Sequence, residues 1–164
     1  MNILASDRLP KSDYQVQAVR TFRLKNGQPF AIVGHNLDQG LVTDLWFGNF
    51  ETEENFRQVG SYVCDMLRTG EYRYWLADMR HLTQSFYCSE DWLADDVFPS
   101  AISAGLERKA MVLPPNRNLP SGFDSYGSAS NAIRKITDHR VSAFENIDQA
   151  YGWLLGEETQ AMTG

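Results

Sequence analysis

Cysteine is scarce in this chain: Cys64 and Cys88 are the whole supply, and they lack the paired spacing that a zinc site needs. Two free thiols in a reducing compartment are the expected state, with a single disulfide as the alternative. Basic clusters are missing too. The longest basic runs are pairs, Arg108-Lys109 and Arg134-Lys135, in a chain of net charge −6. Phosphate backbones are bound through concentrated basic surface, so no nucleic-acid partner is expected. Nowhere do about 18 apolar residues run together, so no membrane-spanning helix is expected. The opening stretch from Met1 to Arg8 has no basic region followed by an apolar one, which argues against a signal peptide. A cytoplasmic protein of bacterial type is the default reading.

Catalytic and cofactor signatures are also thin. His35, His81 and His139 lie far apart, and none belongs to an HExxH-type ligand pair. No nucleophile elbow frames a serine. The glycines of Gly122 to Gly127 precede a helical pattern but lack the spacing and the lysine of a phosphate loop. Glu90, Asp91, Asp95 and Asp96 have no calcium-loop spacing and read as a solvated helix face. Neither a cofactor nor a metal is therefore expected, and the chain reads as a non-enzyme.

What is present is an ordinary globular composition. Of 164 residues, 43% are hydrophobic and 22% charged, enough to bury a core without disulfides or a structural metal. Alternation from Gln15 to Leu24 predicts a half-buried strand with Val16, Ala18, Phe22 and Leu24 on one face. Asn26-Gly27 is a hairpin signal. Strands are expected again at Phe30 to His35 and Leu41 to Phe50. The period then changes: Thr52-Glu53-Glu54 opens a helix, with Phe56, Val59, Val63 and Leu67 as its apolar stripe and Gly70 as its end. Tyr72 to Asp78 reads as a strand and 79–88 as a loop. Ser89-Glu90-Asp91 opens a second helix, which Pro99 should kink or split. Ala110 to Leu113 predicts a strand buried on both faces. After a turn-rich stretch from Pro114 to Ser125, a helix is expected over Tyr126 to His139, a strand at Arg140 to Phe144, and a last helix at Ile147 to Leu155.

The order β-β-β-α-β-α-β-α-β-α predicts an α/β fold with a mixed, largely parallel sheet. Antiparallel hairpin strands open it and about four helices back it. Nothing divides the chain, so residues 1–164 read as one domain with its core at about 14–156.

Several segments in this order resemble a known family. They are Leu45-Trp46-Phe47-Gly48, the helix opening from Thr52 to Arg57, Trp75-Leu76-Ala77-Asp78, Trp92, Phe98-Pro99, the stretch from Ala104 to Ala110, and the ending from Ala143 to Leu154. Together they resemble the STAS/SEC14-like domains, bacterial single domains similar to the sporulation anti-sigma-factor antagonists. The resemblance implies a mixed sheet backed by helices, and a role in protein switching or in binding apolar or nucleotide ligands. In the antagonists a serine at the helix start after the central strand is phosphorylated. Ser89 is the nearest counterpart here and Ser85 the next, but the compact Asp-Ser-Ser-Gly signature is absent.

The candidate ligand- or partner-binding residues are Asp78, Arg80, His81, Phe86, Tyr87, Ser89 and Trp92, which gather around the carboxyl end of the central strand. Asp78 can be an acid–base or anion-binding group with Arg80 and His81, or a turn cap paired with Arg80. Ser89 can be a phospho-acceptor or a helix cap. Phe86, Tyr87 and Trp92 could border a pocket mouth. Three functions follow. The first is a non-enzymatic regulatory module whose partner is another protein. The second is a carrier of a small apolar or lipid-like ligand. The third is an enzyme using Asp78, Arg80 and His81, for which Asp78→Asn would abolish turnover. An open sheet edge also makes a homodimer a candidate state.

Overall fold

Turn chemistry sets out the first three strands. The computed structural model describes residues 16–84, 89–113 and 139–156. Strand β1 (Gln17–Arg23) turns into β2 (Pro29–Asn36) through Asn26-Gly27, where Gly27 takes φ 89° and the Asn26 side chain accepts the Gln28 N–H. A 3-10 turn, Leu37–Gln39, is capped by the Asn36 side chain and closed by Gly40 at φ 64°, and leads into β3 (Leu41–Gly48). Both turns need a left-handed residue, and glycine supplies it without a Cβ penalty. The two pairings are antiparallel.

From β3 onward the connections are helical and the pairing is parallel. Helix α1 (Glu53–Leu67) begins at Thr52, whose side chain accepts the Asn55 N–H, and buries Phe56, Val59, Val63 and Leu67 as its spacing predicts. Strand β4 (Tyr74–Leu82) follows. Helix α2 (90–103) comes next and runs on through Pro99 without a break: its middle, Leu93–Val97, is π-helical, and Pro99 sits in the first turn of the α-helical end Phe98–Ser103. A proline tolerates a first turn because no N–H is required of it there. Strands β5 (Arg108–Val112) and β6 (Val141–Phe144) follow as the last strands among the described residues, and helix α3 (147–156), capped by Asn146, closes the described chain.

The six strands lie in sequence order, with β3, β4, β5 and β6 parallel. Stepping one place each time in the same direction puts α1 and α2 on one face of the sheet. The larger core lies there: Trp46, Trp75, Met111 and Leu113 of the strand segments against Phe56, Val63, Val97 and Phe98 of the helices. Helix α3 covers the other face, packing Ile147, Ala150 and Leu154 on Leu41, Leu76 and Val112. The expected α/β class, with antiparallel strands first and parallel strands after, is the observed one. Three helices stand among the described residues; the one expected over 126–139 falls almost wholly outside them, as do Ser85, Phe86, Tyr87 and Cys88.

Two expectations are corrected. Val16, Ala18, Phe22 and Leu24 do not share one face, because the β1–β2 register slips between Ala18 and Arg20. The extra residue turns the strand over, so Val16 packs with the α3-side core while Phe22 and Leu24 join the other. The second correction concerns 79–88. Met79 to Leu82 continue β4 rather than forming a loop, because Met79 and Leu82 are buried in the core and the strand still pairs with Phe47 and Gly48.

Candidate functional site

The extension of β4 changes what its carboxyl end presents. Asp78 is fully buried. Its Oδ1 accepts the Arg80 Nε–H at 2.9 Å and its Oδ2 accepts from Nη2 at 2.8 Å, a two-pronged ion pair. The Arg80 backbone N–H also donates to Oδ1, at 3.2 Å. Alternation along β4 places Asp78 on the face opposite Ala77 and Met79, away from α1 and α2. Planar guanidinium matches planar carboxylate, so the Asp78 side chain is engaged in structure. His81 is exposed, and its ring lies flat against Phe47, with centroids 6.4 Å apart and planes 17° off parallel.

Ser89 and Trp92 sit elsewhere. Ser89 is only 2% exposed, so its hydroxyl is not offered at the surface of the folded chain. Trp92 packs from α2 against α1, on the α1/α2 face of the sheet. Its ring meets Phe56 edge-on at 6.4 Å and lies beneath the Arg57 guanidinium at 5.2 Å. Gly60 makes this approach possible, since a Cβ there would stand 2.8 Å from Trp92 Cη2. The sheet therefore separates Asp78 from Trp92. Asp78 is paired with Arg80, His81 stacks on Phe47 instead, Ser89 immediately precedes α2, Trp92 lies in it, and Ser85, Phe86 and Tyr87 lie outside the described residues.

A polar cluster that sequence reasoning missed lies under α1 and α2. Asp44 on β3, 3% exposed, accepts the indole N–H of Trp46 at 2.8 Å and that of Trp75 at 2.6 Å. Lys109 on β5, 2% exposed, places Nζ 3.4 Å from the centroid of the Trp75 ring and 4.4 Å from that of Phe98. Trp75 thus presents its N–H edge to the carboxylate and its π face to the ammonium. Burial pushes the Asp44 carboxyl above its ordinary value, against the pull of Lys109 and the two indoles. Burial likewise lowers the Lys109 amine from 10.5 to about 8, with Asp44 and then Cys64 opposing the shift. The Cys64 thiol, also buried, is pushed up by desolvation. The available signal was a charge, Asp44 or Lys109, in a strand otherwise mostly apolar: an unpaired charge is not tolerated there, so each implied a partner.

A groove of about 310 Å³ runs between α1 and α2, lined by Ser61, Cys64, Asp65, Trp92, Asp96 and Ser100 among others. A cleft of about 450 Å³ opens at the carboxyl end of β3, against Leu24, Pro29, Phe47, Asn49 and Glu51. Glu51 there takes φ 70°, the one left-handed residue besides glycine among the described residues. No group of three or more potential metal ligands occurs among the described residues. No described helix is long and apolar enough to cross a membrane. Comparison with protein-family models, with curated proteins and with solved structures finds no match to this chain in any of the three.

Proposed function

We propose that this chain is a non-enzymatic regulatory or protein-interaction module of the STAS-like class, cytoplasmic and able to pair through its sheet edges. Trp92 carries this reading. It is a tryptophan fixed in place by Gly60 and Phe56 yet left partly exposed in a groove whose rim is polar. Rigid, half-exposed tryptophans are the side chains on which protein interfaces concentrate their binding energy. The engagement of Asp78 by Arg80 supports the same side, because it occupies the carboxylate that a catalytic reading would use as a base. The buried, free Cys64 fits a reducing compartment.

A photo-crosslinking residue at Ser61 or Ser100 tests the groove, with Gln149 on the far helix as control. The expected result is one discrete adduct from the two groove positions, none from Gln149, and loss of the adduct in Trp92→Ala. Undiminished binding after replacement of both Ser89 and Trp92 would sink the reading.

The cleft at Leu24, Pro29 and Phe47 favours a second reading, a carrier of a small apolar or lipid-like ligand. Its volume is of ligand-pocket size and part of its wall is apolar. Native mass spectrometry of gently purified protein separates the two. Excess mass lost on denaturation supports the carrier, and a bare polypeptide mass removes it.

A further inference from the structure

Helix α2 is docked on the sheet by a ring that covers a cation. Phe98, fully buried, begins the α-helical end of α2 immediately after its π-helical stretch, and lies 4.4 Å from Lys109 Nζ. Beneath Lys109 is the Trp75 ring, and beyond Trp75 the Asp44 carboxylate. The ionisable groups acting on Lys109 are Asp44 from β3 and Cys64 from α1. Among the other described charges of the packed elements, Asp65 and Arg68 of α1, Asp95 and Asp96 of α2, and Arg140 before β6 are exposed.

We propose that Lys109 is a proton switch beneath α2: the charged ammonium favours opening of residues 93–103 from the sheet, and the neutral amine favours their closure. An ammonium without bulk water loses hydration that two aromatic faces and one shared carboxylate replace only in part. The amine accordingly titrates near 8 rather than 10.5, so its charge changes in the range where cells hold their pH. Opening of α2 is the local route to rehydration. Its α-helical pieces are three and six residues long on either side of five π-helical residues, against fifteen continuous residues in α1. Short segments with irregular hydrogen bonding open at lower cost than the whole molecule. The switch does not depend on the interaction-module reading, since it operates within the isolated chain.

Two measurements on the unmodified protein test it together. Carbon-13 NMR follows the Lys109 ε-methylene through a pH titration. Amide hydrogen exchange, corrected for its intrinsic pH dependence, follows residues 93–103 with the α1 amides as reference. The switch predicts a Lys109 midpoint near 8 and protection of 93–103 that grows about tenfold from roughly pH 7 to 9, relative to α1. Lys109→Met, which keeps the length of the stem and removes the charge, should flatten that dependence. A midpoint near the ordinary lysine value, or protection of 93–103 that does not change relative to α1, overturns the proposal. Both results come from the unmodified chain, so a misfolded Lys109→Met variant would leave the test standing.

Discussion

Trp75 donates its indole N–H to Asp44 at 2.6 Å, joining two strands through a side-chain hydrogen bond in the middle of an apolar core. Trp46 donates to the other carboxylate oxygen, so each oxygen answers one indole. Only an ionised carboxylate offers two acceptor oxygens and no donor. Asp44→Asn keeps the shape but turns an NH₂ toward one of the two N–H groups. The expected cost is about 1–3 kcal/mol, the usual range for a buried donor left unsatisfied. Urea denaturation with an unchanged m value would read it. An Asp44→Asn protein as stable as the parent would mean the indoles find other acceptors.

Stability should climb with alkalinity over a definite window. In the folded chain Lys109 has a pKa of about 8, against 10.5 for an ordinary lysine. Below the lower value both states carry the proton; between the two values the unfolded chain binds more protons, so unfolding becomes harder as pH rises. Asp44 works in the opposite direction. Its folded pKa lies above 3.8, so the folded chain binds more protons as pH rises from there, and stability falls until the carboxyl has ionised. From pH 7.5 to 9.5 the Lys109 contribution predicts a rise of about 2 kcal/mol in unfolding free energy, and Lys109→Met should remove it. A flat or falling curve over that range would show that water already reaches the amine.

Most of the framework was legible in the sequence because it rests on local rules. Asn26-Gly27, the Thr52 cap and the stripe from Phe56 to Leu67 each form through neighbours within a few residues, and each formed as read. The slip between Ala18 and Arg20 was not legible, since a bulge is defined by the partner strand rather than by the strand that carries it. The length of β4 escaped for a related reason. Arg80 and His81 break the apolar alternation, yet Asp78 pairs with Arg80 within the strand and His81 stacks on Phe47 of β3. The candidate site was legible only in part. Asp78 and Arg80 are close in sequence and paired in space, but Asp44, Trp75 and Lys109 meet across three strands and share no local spacing.

Gly60 is a small residue in the middle of a helix, where alanine would ordinarily be about 1 kcal/mol better. Here the added methyl would stand 2.8 Å from Trp92 Cη2 and 3.2 Å from Cζ3. Overpacking of that kind costs about 1–3 kcal/mol, so Gly60→Ala should come out neutral to destabilising by up to about 2 kcal/mol. The clash is specific to one ring. In a Trp92→Leu background the same change should become stabilising, and a thermodynamic cycle over the four proteins would show the coupling. Additive effects would mean that α2 shifts to make room and that Trp92 is not pinned.

Glu51 carries the opposite kind of misfit, a side chain where the backbone asks for none. At φ 70° its Cβ crowds the following carbonyl, while Asn49 Oδ1 holds the turn by accepting its N–H at 2.6 Å. Glycine removes that crowding, although it also widens the unfolded ensemble and so returns part of the gain. Glu51→Gly should therefore stabilise by only about 0.5–1 kcal/mol, whereas Glu51→Val, branched at Cβ, should destabilise by at least about 1 kcal/mol. The pair of variants also bears on the cleft that Glu51 borders. Should both stability shifts appear while native mass spectra of the parent show no bound ligand, the strained turn serves only to steer the chain from β3 into α1. Should a ligand be present in the parent and absent from Glu51→Gly, the strain holds the carboxylate in place for that ligand, because the glycine variant keeps the turn and loses only the side chain.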